Sequence, residues 1–433
     1  MSKLKLNIFE SLSCRNFRLY FFGQCISLTG SWIQQVAMGW LVYRLTDSIA
    51  LLGVIVFLSQ APTFIITPLV SSLIDRISQQ KILVFTQIFF LLHALCLTIL
   101  VMTNILSAEN VWIVLILSLF FGIVNALDQP TRQAFYISLV PKGMLTNAVA
   151  LNSAIINGSR LIGPAIGGFL IILIGEGGCF LIDTISYSFV IIALLLIKFP
   201  KMQISKIKHN IFKDTMEGVS YIRESLPIKV LLIISFGVSF FVLPVTTFFP
   251  AYIKDSLGEG SQALGSLMSF LGIGSFSGAL FLASRKTIIN LDKIQRIGIL
   301  SASLILIPFF SVTNIYLSHL LSMLLGLSMV SAIASTNTII QFLTPVNMKG
   351  RVMGYYTICF IGGSSLGNLV LGYFANLISL EIIMSLSGII CLLFLVVLNP
   401  YLRKIKLHLI DKERDLDTIN VVVESINLSE INR

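Results

Sequence analysis

Asp128, Arg160 and Asp183 lie in stretches of this chain that are otherwise apolar. A charge taken out of water is costly unless a partner, a proton or a wet cavity receives it. Residues of this kind can therefore hold a polar solute, take up and release a proton, or latch one helix to another. Asp128 and Arg132 are four apart, so on a helix they can pair, and Asn125 and Gln129 share their face. The pair reads either as a structural ion pair or as a protonatable group or gate latch whose partner changes between states. Arg160 shares a face with Ser153, Asn157, Gly163 and Gly167; it can hold an anionic or catechol-like solute, or neutralise Asp128 or Asp183. Asp183 can accept a proton as a coupling group, or hydrogen-bond a neighbouring helix. Gln24, Ser27, Ser31 and Gln34, at offsets 0, 3, 7 and 10, form one polar helical stripe. Such a stripe lines a water-filled cavity or joins a neighbouring helix.

Weaker candidates surround these. His93 is ionisable but reads first as a core histidine. Ser328, Ser331, Ser335 and Thr338 make a second stripe, with Asn337 and Gln341 nearby, and Phe236, Phe240 and Phe241 offer aromatic surface to a solute or to lipid. Asp75 and Arg76 follow the second apolar run and Arg351 follows the tenth, places where helix ends can latch and release as a gate. Pro164 can bend its helix. Gly163 with Gly167, and Gly363 with Gly367, are GxxxG pairs that allow close helix approach. The six cysteines show no CxxC spacing, which excludes a disulfide framework or cysteine metal site. No GxxxxGK[ST] or HExxH is present, and the one GxSxG match, Gly363 to Gly367, lies inside an apolar run without the strand-to-helix context of a nucleophile elbow, so the sequence does not read as an ATPase or another enzyme, and no cofactor or metal is expected.

The elements that must position these residues follow from composition. Of 433 residues 56% are hydrophobic and 12% charged, with a mean hydropathy of +0.92; soluble domains carry about 25% charged residues. Twelve apolar runs, the first Phe17 to Tyr43 and the last Leu380 to Leu398, are each long enough to cross a bilayer. With the N-terminus in the cytosol, 27 of the 30 Lys and Arg residues fall in cytosolic segments, as the positive-inside rule requires. The expectation is an all-α membrane protein of twelve transmembrane helices in two six-helix, pseudo-symmetric halves. Residues 1–16 form a cytosolic segment, 17–197 the first half, 198–229 a basic linker, 230–398 the second half and 399–433 a cytosolic tail. No cleavable signal peptide is read in the first run. The net charge of +10 is then mostly topology, not a nucleic-acid signal. The linker, with Phe212, Met216, Val219, Tyr221 and Ile222 as its apolar component, reads either as a pure tether between the halves or as a partly helical segment lying along the anionic lipid surface.

The halves carry the trace of a repeat. Leu139, Pro141, Met144, Gly158, Gly163 and Gly168 recur as Leu343, Pro345, Met348, Gly362, Gly367 and Gly372, 204 positions later, giving 6 identities in 31 positions. Three of the six are glycines at helix-packing spacing. Ser364 stands where Arg160 does, so charge sits in the N-terminal half.

Two six-span halves, a basic central loop and the stretches FRLYFFGQCISLTGSWIQQVAMGWLVY, PLVSSLIDR, Asp128 to Phe169 and Gln341 to Gly367 resemble the major facilitator superfamily, specifically its branch of bacterial exporters of the enterobactin-exporter type. The loop after the second run departs from the superfamily signature: Ser71 replaces its glycine, and Gln79, Gln80 and Lys81 stand where a basic pair is usual. The resemblance implies a secondary transporter that works by alternating access in the bacterial inner membrane with both termini cytosolic, a proton-coupled exporter of a siderophore or other amphipathic small molecule. Multidrug efflux, lysolipid or nutrient transport on the same scaffold, and a non-transporting membrane sensor are the alternatives. The partners implied are a small-molecule substrate, protons and the lipid bilayer. Gln24, Ser31, Gln34, Asp128, Arg132, Asn157, Arg160 and Asp183 are the candidate substrate or coupling residues, and Asp75, Arg76 and Arg351 the candidate gate.

Overall fold

The computed structural model describes residues 9–74, 78–198, 211–285, 287–288, 290–345, 348–402 and 405–406. The described residues are overwhelmingly helical: α1 (Arg15–Thr46), α2 (Ile49–Ile74), α3 (Gln79–Met102), α4 (Trp112–Ser138), α5 (Leu145–Leu196), α6 (Ile211–Glu224), α7 (Leu226–Phe241), α8 (Phe249–Ala251), α9 (Ser261–Ala283), α10 (Leu291–Phe309), α11 (Ile315–Leu343), α12 (Lys349–Leu377) and α13 (Leu380–Leu402). Among the described residues nine segments are long and apolar enough to cross a membrane by length and composition alone, with Leu226–Ser256 counted as one. Twelve spans follow once three sequence features are recognised. Gly175, at φ +70°, divides α5 into two arms in a conformation that suits glycine. α1 falls short in hydropathy because of its glutamines and serines, and α10 because Asp292, Lys293 and Arg296 open it.

The spans pack with glycine at the tightest crossings. α1 is wedged between the two arms of α5. Its Gly30 faces Asp183 and Ser186 on one arm, and its Trp32 and Ile33 face Gly163 and Gly167 on the other. In the second half Gly363 and Gly367 of α12 meet Phe236 and Phe240 of α7 in the same way. Gly122 of α4 lies against α2 at Leu58 and Ser59, and Gly326, again 204 positions on, lies against α9 at Leu271. The repeat is therefore one of packing geometry, and most of its sequence has diverged around the close approaches.

The halves meet where α2 crosses α12 and α5 crosses α9. A Cβ on Gly168 would sit 2.6 Å from the Cα of Gly265, and one on Gly372 would sit 3.3 Å from the Cα of Gly53. Both seams lie toward the end of the bundle that carries the α1–α2 turn. At that same end Lys254 pairs with Asp47, and the Tyr43 hydroxyl donates to the Asp255 carboxylate.

The α7 region is not a plain span. It breaks after Phe241 into a 3₁₀ turn, Leu243–Thr246, then α8, then a π turn, Tyr252–Ser256, with Pro244 and Pro250 removing backbone donors. The linker also differs from expectation. α6 is helical, but it docks on protein: Glu217 accepts from Arg351 at 2.6 Å, and a Cβ on Gly218 would lie 3.0 Å from the Tyr355 ring. Tyr221 and Ile222 pack against the core, and Met216 is exposed. Phe212's side chain is outside the described residues.

Candidate functional site

A chamber of about 330 Å³ lies between the halves. α1 supplies one wall and α2 another. α3, α4 and the second arm of α5 supply His93, Asn125 and Tyr187, and the opposite half contributes Thr246, Thr247, Pro250, Leu264 and Met268. Among the described residues, no aspartate, glutamate, lysine or arginine joins this lining.

The polar stripe of α1 divides between its two readings. Ser31 and Gln34 line the chamber, together with Gln35 and Trp32. Gln24 and Ser27 are buried one to two turns away, where Gln24 accepts from Arg132 at 3.4 Å. Gln34 is only 8% exposed, and its carbonyl oxygen has no hydrogen-bond partner. Periodicity put all four on one face but could not say which turn meets a neighbour and which a cavity.

Asp128 is fully buried and pairs with Arg132. Its other oxygen accepts from Thr86 at 2.7 Å and from Gln87 at 2.8 Å, both on α3. Buried pairs need such added bonds to offset desolvation. The result is a carboxylate whose acceptor capacity is largely used inside the first half.

Asp183 contrasts with it. It too is fully buried, but Oδ1 accepts only from Ser186 at 3.0 Å and Ser31 at 3.5 Å, and Oδ2 has no partner. Among the described residues no basic side chain forms an ion pair with it. Ser31 is also 3.1 Å from the Tyr187 hydroxyl, so Ser31 and Tyr187, both chamber residues, stand between Asp183 and the chamber. Gly30 makes the approach possible, since a Cβ there would lie 2.8 Å from the Asp183 carboxylate. Tyr187 was not singled out from sequence, although its place one turn after Asp183 is the signal that finds it.

Arg160 and Asn157 do not line the chamber. Arg160 is exposed and lies 5.5 Å from the centre of the Trp32 ring, a cation–π contact behind a chamber wall. Asn157 donates to the Ser153 carbonyl of its own helix at 2.9 Å. Pro164 is buried inside α5, its carbonyl beside Gly265. His93, 7% exposed and 5.3 Å from the Phe121 ring, does line the chamber. The α11 stripe does not: Ser328 accepts from Ser301 of α10 at 2.8 Å, and Thr338 bonds its own helix. Phe236 and Phe240 serve the glycine crossings of α12. The contribution of the second half comes instead from the broken α7–α8 region, which hydropathy alone reads as continuous. Arg351 holds α6, and Asp75 and Arg76 lie outside the described residues.

Two six-helix halves around a chamber of apolar and uncharged polar side chains define a multi-pass membrane transporter of small molecules with the major facilitator fold. The chain belongs to the transmembrane secretion effector family, whose model matches residues 7–425; the family is one of transporters, not enzymes. It is 27% identical to the staphyloferrin A transporter of Staphylococcus aureus over 90% of this chain and 97% of that one. It is 25% identical to macrolide efflux protein A of Streptococcus pyogenes over 60% and 67%, and 24% identical to the enterobactin exporter EntS of Salmonella typhi over 89% and 93%. Among solved structures, the nucleoside transporter NupG superposes with a TM-score of 0.68 at 14% identity, covering 92% of this chain and 99% of that chain.

Proposed function

We propose that the chain is a proton-coupled exporter that works by alternating access in the bacterial inner membrane and carries a siderophore or another amphipathic small molecule, with both termini cytosolic. The observation that carries this reading is the pairing of a chamber walled by both halves with a buried, unpaired carboxylate, Asp183, one hydroxyl away from it. A transported solute and a proton then act on the same wall. Protonation of Asp183 removes the cost of a bare buried charge, and Ser31 and Tyr187 carry that change to the solute. The basic residues of the sequence concentrate in the linker, the tail and alternate loops, which by the positive-inside rule supports a cytosolic α6 end and an Asp47–Lys254 closure on the outside. Export is supported by the names of two relatives, which denote efflux or export. Asp75, Arg76 and Arg351 form the cytosolic gate in this scheme, and residues 17–197 and 230–398 are its two rocking bodies.

The test is accumulation of a labelled catecholate siderophore and a lipophilic cationic dye in inverted membrane vesicles, with and without a proton gradient. Gradient-driven uptake of either is expected. Uptake of neither would remove the transport reading, and uptake indifferent to the gradient would remove the proton.

A further inference from the structure

The residues flanking the chamber keep every fixed charge just outside it. Asp128 and Arg132 neutralise each other inside the first half, Asp183 stands behind Ser31, and Arg160 lies against the Trp32 ring without entering the lining. The chamber's own polar groups are amides and hydroxyls. Among the described residues His93 is the only lining side chain able to carry a positive charge, and it is buried against an aromatic ring. An amide or hydroxyl wall gives hydrogen bonds to carbonyl, ether and hydroxyl oxygens. It gives no countercharge, and a carboxylate or catecholate entering a site without one loses its hydration uncompensated. Gln34 adds a second observation that points to a ligand: a carbonyl oxygen without a hydrogen-bond partner on a nine-tenths buried side chain in the wall. Such an acceptor takes a hydroxyl or N–H.

From this we infer that the chamber receives an uncharged, oxygen-rich amphipath of the hydroxylated lactone or glycoside class, and that anionic chelators are poor ligands for it. The inference rests on the transport reading and narrows its substrate. The Gln34 amide accepts a ligand hydroxyl, Gln35 and Asn125 bond to its oxygens, and the Trp32 and Phe121 rings cover its apolar face.

The experiment is equilibrium dialysis of the purified full-length chain in micelles, with empty micelles as the blank, against two labelled probes of similar size. One is brefeldin A, an uncharged lactone diol, and the other is 2,3-dihydroxybenzoylserine, a catechol bearing a carboxylate. At least tenfold tighter binding of the lactone, weakened about tenfold by Gln34→Leu, is expected; about tenfold corresponds to roughly 1.4 kcal/mol. Equal or tighter binding of the catechol, or no saturable binding of the lactone, overturns the inference. Loss of catechol binding in Arg160→Ala or His93→Gln would identify the cation responsible. The same probes in inverted vesicles separate the two claims. A lactone that binds but is never moved leaves the ligand class standing and removes the transporter. A catechol accumulated in an Arg160-dependent way does the reverse.

Discussion

In the first half, α3 and α4 are joined by a buried ionic cluster, Gln87 and Thr86 on Asp128 with Arg132 completing it. In the second half, the corresponding pair, α10 and α11, is joined by Gln295 donating to Thr336 at 2.7 Å and by Gly298 pressed against Ala332. At the repeat spacing of 204, Asp128 answers to Ala332, Arg132 to Thr336, Arg160 to Ser364 and Asp183 to Ser387. Every one of the first half's four intramembrane charges is matched by a small neutral residue. Ser387 donates to the Phe241 carbonyl at 2.6 Å, a purely structural bond. The contrast teaches that crossing geometry and ionisable chemistry separate cleanly in this scaffold: both halves keep the first, and one keeps the second. The second half is not free of charge, since Asp292 and Arg296 pair at 2.6 Å, but they sit at the first turns of α10, near the membrane boundary.

The largest expected effect comes from making the first half resemble the second at its exposed difference. Asp183→Ser copies Ser387 and keeps a hydroxyl for Ser31, so the protein is expected to fold while the ratio of vesicle uptake with and without a proton gradient falls to unity. A ratio that stays well above one would show that the asymmetry at this position has no part in coupling. Next in size, Asp128→Ala strands Arg132 in the interior at a cost of about 3 kcal/mol, whereas Thr336→Ala removes a neutral contact worth about 0.6 kcal/mol in a membrane. Thermal unfolding in micelles reads both, and similar losses would erase the distinction between the clusters.

The two inter-half seams sharpen the comparison from the packing side. Gly168→Ala drives a Cβ against backbone at 2.6 Å and is expected to cost about 1–3 kcal/mol. Gly372→Ala meets its neighbours at 3.2 Å or more, a misfit that alanine's helix propensity, about 1 kcal/mol better than glycine's, offsets. Thermal stability of the pair should therefore split, and equal melting shifts would contradict the geometry. The smallest effect belongs to Asp47→Asn, whose carboxylate is 70% exposed: less than about 0.5 kcal/mol, vanishing as salt is added, read from melting at two ionic strengths.

Much of this was legible without coordinates, for reasons that mark the limits of sequence. Span number and the pseudo-repeat were readable because a bilayer imposes run length and helix crossings impose glycine. That Asp128 has a partner four residues on was likewise a local fact. What could not be read was rotation: α1's stripe fixes a face, yet only the wedge formed by the two α5 arms decides that Ser31 and Gln34 meet the chamber and Gln24 meets Arg132. For the same reason the sequence could not say what Arg160 meets: it is exposed and lies against the Trp32 ring, outside the chamber lining. The broken α7–α8 region escaped because Pro244 and Pro250 sit in an apolar run whose hydropathy is unchanged by the break. The α6 docking escaped because an amphipathic helix has the same pattern on lipid as on protein.

The paired glycine seams set a mechanical advantage. Gly372 lies five residues from one end of α12 and 23 from the other, roughly 8 Å and 35 Å along the axis at 1.5 Å per residue. Gly168 divides the first arm of α5 in nearly the same proportion. In the rocking scheme proposed above, halves rolling on bare backbone at those two points would pivot about an off-centre fulcrum, so a displacement of about 2 Å at the Asp47 face would become about 9 Å at the α6 face. One face can then close on a handful of side chains while the other swings wide enough to pass a bulky cargo.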